Sequence, residues 1–158
     1  MTDSEIDYYI KTRKLVFDAP PKNYRIAGAQ RRKDFKVKSD EGFIYTVFIR
    51  QNLEFQENFS IGLLLHFEGK KIMLFRANGN HGEVVENPQR PSPHFGFHYH
   101  KLTAHDFEIG KYFDPKFSQK TDGYNSFEEA IIFFIKFTNI EDGLLHFPNI
   151  NQLPLFQD

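Results

Sequence analysis

From Phe43 to Ala77 apolar and polar side chains alternate with a period of two. Phe43, Tyr45, Val47 and Ile49 fall on one side, and Ile44, Thr46, Phe48 and Arg50 on the other. After a polar connection over 51–58, Phe59, Ile61, Leu63, Leu65 and Phe67 form the strongest apolar stripe of the chain, backed by Ser60, Gly62, Leu64, His66 and Glu68. Successive side chains of a strand point to opposite faces, so these runs predict strands that cover a core with one face. Gly69-Lys70 reads as a two-residue hairpin loop, which would pair Phe67 with Ile72 and Leu65 with Leu74. Upstream, 24–30 reads as a short strand, Phe35 and Val37 alternate with Lys36 and Lys38, and Ser39-Asp40-Glu41-Gly42 reads as a tight turn. Strands joined by short turns make an antiparallel meander.

The two ends of the chain follow a different period. Thr2 and Glu5 have the spacing of a capping box, and Ile6, Tyr9, Ile10, Arg13, Val16 and Phe17 share one helical face. Ala19-Pro20-Pro21 ends that helix, because proline lacks the N–H and disfavours helix in the residue before it. Ser126 and Glu129 repeat the capping-box spacing before FEEAIIFFIKF, a helix apolar nearly all round that should be buried against the sheet. The tail from Ile140 to Asp158, rich in Asn, Pro and Gly, reads as an extended edge segment. The expected fold is α+β: an antiparallel β-meander with an N-terminal amphipathic helix and an apolar C-terminal helix packed on it, in one domain over 1–158.

Residues 77–93, ANGNHGEVVENPQRPSP, interrupt the meander and are too long for a plain hairpin connection. Loops longer than about 12–15 residues in a compact domain are commonly functional or disordered. Behind this one comes HFGFHYH, in which His94, His98 and His100 alternate with Phe95, Phe97 and Tyr99. On a strand the imidazoles face one way and the rings the other. By the same parity His66 points away from the apolar stripe, and His81 lies in the long loop, so several histidines could gather on one sheet face with Arg76 at the strand end.

Composition narrows what that face can do. The chain has 158 residues, 19 Phe, no Trp and no Cys, so the core is strongly aromatic, and disulfides, thiol nucleophiles and Cys-built zinc sites are excluded. A net charge of −1 argues against a wholly basic nucleic-acid binder but allows a local basic patch. The acidic start MTDSEIDYYIK is unlike a signal peptide, and no apolar run reaches the roughly 20 residues a spanning helix needs, so a cytoplasmic protein without a membrane is expected.

Three chemistries fit a histidine face. In the first, His98 and His100 ligate zinc or iron with His81, Glu83 or His66 as a third ligand, although no acid follows His100 before Asp106. In the second, imidazoles that titrate near neutrality serve as base and acid on a phosphodiester, with Arg76 or Lys101 holding the phosphate and no cofactor. In the third, the histidines only bridge solvent and neighbouring polar groups; this is the ordinary reading of His66, His105 and His146. Arg31-Arg32-Lys33, with Lys36 and Lys38, either binds a nucleic-acid backbone or is a solvated edge that discourages strand pairing. ANGNHG lacks the spacing of a phosphate-binding loop.

The run Arg76-Ala77-Asn78-Gly79-Asn80-His81, a Pro-rich loop, His94 and the His98-Tyr99-His100 strand resembles a pattern in small bacterial proteins, in which an apolar helix like 126–137 closes the domain. The arrangement, over about 59–140, is similar to the TumE-like toxin components of toxin–antitoxin modules. Ala77 stands where an aromatic is common in that pattern, and the N-terminal helix has no counterpart in it. The resemblance implies a metal-independent, ribonuclease-like toxin component with RNA as target and a small antitoxin-like protein as partner. It singles out His98, His100, His81 and Arg76, the residues the parity argument reaches separately. The competing expectation is a non-enzymatic module that docks a protein partner on its long loop and open sheet face.

Overall fold

The computed structural model of the chain describes residues 1–80, 89, 96–115 and 117–150. Helix α1 runs Asp3–Lys11, with the Thr2 hydroxyl accepting from the Glu5 amide and the Glu5 carboxylate accepting from the Thr2 amide, so the expected capping box is present. The helix is shorter than its apolar period suggests. Thr12 is extended, and Lys14–Asp18 forms strand β1, antiparallel to Gln30–Ser39 (β3). Leu15-Val16-Phe17 are residues that suit a pleated surface, and an edge to pair with outweighs the helical spacing there.

A short strand β2, Arg25–Ala27, hairpins into β3, and β4 (Ile44–Asn52), β5 (Phe59–Phe67) and β6 (Lys70–Asn78) follow in antiparallel order. The β5–β6 loop is Glu68-Gly69, both at positive φ, the primed turn that matches strand twist. Phe67 therefore opposes Lys70 and Leu65 opposes Ile72, which corrects the expected register by two residues and keeps every side chain on its face. A bulge beside Leu63 lets both Leu74 and Phe75 reach the core. Strand β7, His98–Lys101, then pairs with β6, and β8, Phe117–Lys120, pairs with β7. Between these two strands lies a short helix α2, Ala104–Glu108, with its own capping box from Thr103 and Asp106. Neither α2 nor β8 was expected from the polar composition of the segment.

The result is an eight-stranded sheet in the order β1-β3-β4-β5-β6-β7-β8, with β2 also on β3. Helix α3, Phe127–Phe137, packs on one face as expected, its Ser126 cap accepting from the Glu129 amide. Its Phe134 and Phe137 meet Phe75, and Phe127 meets Phe59. Ile6 and Ile10 of α1 join the same core. The described part of the tail forms a 3-10 turn, Gly143–His146, and residue 140 bridges to Lys14. Residues 151–158 lie outside the described residues. Among those described, no helix is long and apolar enough to cross a membrane.

Where α1 and α3 end, Lys14 is 0% exposed, and its ammonium donates to the carbonyls of Ile10, Thr12 and Thr138 at 2.6–2.8 Å. The ammonium also lies 4.8 Å from the centre of the Tyr45 ring. Burial pulls it down to about 7, and the carbonyl ends of two helices act against that pull.

Candidate functional site

The sheet face away from the helices carries a band of polar side chains from β3 to β8. Strand register lines them up in two rows. One runs Arg32, Arg50, Ser60, Asn78, His98, Lys120, and the other runs Asp34, Phe48, Gly62, Arg76, His100, Ser118. The parity reading of HFGFHYH holds for the residues described: Phe97 and Tyr99 pack with Phe59 and Phe75 on the helix side, while His98 and His100 face the other way. His94 and His81 lie outside the described residues.

Three of the four expected site residues thus come together. Arg76 and His100 are cross-strand partners, and His98 opposes Asn78 two pairs along, the next pair on the same face. The two imidazole centres are 5.2 Å apart in an edge-to-face arrangement. Both are buried, His98 at 0% and His100 at 3% exposure. A carbonyl can only accept, so each Nδ1 donates: His98 to Gly96 O and His100 to Pro115 O, both at 3.0 Å. These bonds place the proton of each neutral ring on Nδ1, the tautomer a general base or a metal ligand needs. From the helix side, the buried Tyr124 hydroxyl lies 2.8 Å from the carbonyls of both Asn78 and His98, so it clamps the strand pair that carries the site. Burial raises the pKa of that phenol.

Beside the histidines, and open to solvent, is a polar pocket of about 230 Å³ lined by Gln30, Arg50, Asn58, Phe59, Ser60, Arg76 and Asn78. Arg76 Nε donates to Asn78 Oδ1 at 3.1 Å, and Asn78 Nδ2 donates to Ser60 Oγ at 3.0 Å, a chain of bonds that fixes the arginine stem. Among the described residues, Arg76 pairs with the carboxylate of Asp114, which is exposed and 3.9 Å away. Arg50 Cζ lies 4.8 Å from the centre of the Phe48 ring, and its buried Nε has no hydrogen-bond acceptor among the described residues. Burial lowers both guanidinium pKa values; Arg32 adds to this at Arg50, and Arg50 adds to it at Arg76, in each case partly offset by an aspartate. Clustered, half-buried cations short of acceptors form a seat for an anion.

Gly62 makes the seat possible. A Cβ there would overlap the Phe48 ring and press on Met73 Sδ, so only glycine lets the ring lie across β5 beneath Arg50. Gly79 at the end of β6 is constrained in the same way, against the carbonyl of Glu57 and the Phe59 ring.

Sequence reasoning missed Arg50, Asn78 and Ser60. The available signal was parity, since Arg50 shares a face with Phe48 and Thr46, but which strand lies opposite required the sheet order. His66 is on this face, yet it stands four residues from Gly62, about 13 Å along the strand. Its Nε2 bonds Thr46 Oγ1 at 2.7 Å, and burial, then Lys71 and Lys36, lower its pKa. Lys101 lies on the helix face with Tyr99's neighbour Phe75 opposite and pairs with Asp7, not with the pocket. His105 is exposed on α2. Among the described residues no group of three or more His, Asp or Glu side chains is placed to hold a metal ion, and Glu83 lies outside them. No family model, curated protein or solved structure matches the chain.

Proposed function

We propose that the protein is directed at nucleic acid, with a backbone phosphate seated between Arg50 and Arg76 and the His98–His100 pair placed for metal-independent, ribonuclease-like chemistry on the adjoining ester. The observation that carries this reading is the juxtaposition of two acceptor-poor arginines with two imidazoles whose Nδ1 atoms are both committed to carbonyls. Fork-shaped guanidinium groups match phosphate oxygens, and Nε2 of one neutral histidine would take the 2′-hydroxyl proton while the other, in its imidazolium form, gives its Nε2 proton to the leaving oxygen. RNA is favoured over DNA because that chemistry uses the 2′-hydroxyl. In this reading a small antitoxin-like protein would act by covering the open face.

The test is incubation of a labelled single-stranded RNA with the purified chain in excess chelator. Cleavage by the wild type, a fall of about 100-fold or more in His100→Gln, and a loss of binding in Arg76→Gln are expected. RNA bound and cleaved equally by all three proteins sinks the proposal. One observation favours a second reading, a module that binds RNA without cutting it: both histidines are covered while the arginine pocket is open. It predicts salt-sensitive RNA binding that depends on Arg50 and Arg76, with no turnover.

A further inference from the structure

On the helix side of the sheet, at the start of β3, lies a larger pocket of about 580 Å³, within the size range of small-molecule sites. Its walls are Tyr24, Phe127, Phe147 and Ile150, and its charged groups include Arg31 and Lys33. Both cations sit against one ring: Arg31 Cζ and Lys33 Nζ are each 4.2 Å from the centre of Tyr24. Arg31 is also 5.6 Å from Phe127, and Lys33 is 5.6 Å from Phe147.

Lys33 is only 7% exposed, yet among the described residues its ammonium meets a single hydrogen-bond acceptor, the Lys22 carbonyl at 3.2 Å. Arg31 Nε donates to Gln51 Oε1 at 2.8 Å. Neither has a carboxylate partner among the described residues, whereas Arg13 bonds both Asp40 and Glu141. Burial, then the charge of Arg31, depress the Lys33 pKa. A buried ammonium beside a second cation is costly unless something compensates the charge. Rings alone supply only part of that compensation.

We propose that this pocket is a second binding site, for a small anion that carries an aromatic ring, of the nucleoside monophosphate class, with its phosphate on Arg31 and Lys33 and its ring against Phe127 and Phe147. The cations fix the sign of the ligand, and the aromatic walls fix its apolar, planar part. The site stands apart from the arginine–histidine face, because Arg31 and Lys33 alternate along β3 with Arg32 and Asp34, which point the other way. Glu128 lies at the pocket wall and opposes the anion.

The test is calorimetric titration of adenosine monophosphate into the full chain carrying Arg50→Gln and Arg76→Gln, so that the other pocket cannot account for the heat. Saturable binding is expected, weakened about tenfold or more when Arg31→Gln or Lys33→Met is added. Adenosine and inorganic phosphate, each lacking half of the ligand, should bind at least about tenfold more weakly. Lys33→Met should keep or raise the melting temperature, since an apolar isostere replaces a poorly paired charge. Should that variant fail to fold, Glu128→Gln provides the check, because removing the opposing charge should tighten binding severalfold. No binding to the doubly substituted chain overturns the site, as does an affinity that none of these substitutions moves. Phosphate binding as tightly as the nucleotide would overturn the assigned ligand class.

Discussion

Lys14 and Arg50 are both cations drawn into the protein, and they sit on opposite faces of one sheet. Lys14 lies where α1 and α3 end, and each of its ammonium protons has a carbonyl to meet. Arg50 lies on a ring with a buried N–H that meets no acceptor among the described residues, next to two other arginines. The first arrangement is complete without a partner, and the second becomes complete only when an anion arrives. Burial of charge therefore does not by itself mark a functional site; the number of acceptors provided for it separates a structural cation from a binding one.

The largest effect expected from this contrast is on stability. Lys14→Met should cost about 3 kcal/mol, because three buried carbonyls at helix ends lose a charged donor. Urea unfolding measures it, and a loss under about 1 kcal/mol would mean that the cage is dispensable. Gly62→Ala comes next. Overpacking against Phe48 should cost about 1–3 kcal/mol and shift Arg50 off its ring, so RNA affinity should fall along with the melting temperature.

Arg50→Met breaks the comparison from the other side. Stability should stay within about 1 kcal/mol of wild type or rise, because a charge without full compensation is removed, while RNA binding weakens. A marked loss of stability with unchanged RNA affinity would place Arg50 with Lys14 as a structural group. His66 gives the smallest effect. Its folded pKa lies below the ordinary 6.5, so the unfolded chain takes up the proton first and stability is lost as pH falls through that value. Replacing it in His66→Gln should flatten the acid limb of a melting-temperature profile between pH 7 and pH 5 by a small margin, and an unchanged limb would assign the slope to other groups.

The open face shows how far a linear pattern reaches. Parity along HFGFHYH placed Phe97 and Tyr99 on one side and His98 and His100 on the other, because backbone geometry alone fixes alternation. The Thr2 and Ser126 caps were legible for a similarly local reason, since a cap joins groups three residues apart. The whole of β1 was misread as helix because Ile6, Ile10, Val16 and Phe17 satisfy a helical period, and the presence of β3 as a partner cannot be seen from that segment. The β5–β6 register was off by two because Glu68-Gly69 and Gly69-Lys70 both resemble turns, and only the closed ladder chooses between them.

By itself, then, the sequence determined the α+β class, the two capped helices, the amphipathic strands and the face on which His66, His98 and His100 stand, all of which depend on neighbours a few residues away. The tertiary structure alone decided that Arg50, Ser60, Asn78 and Arg76 share a pocket beside those histidines, that His66 stands apart from it, and that Lys14 is caged while Arg50 is not. Those outcomes depend on strand order and on how many acceptors surround a buried charge, and both arise from contacts between residues far apart in the chain.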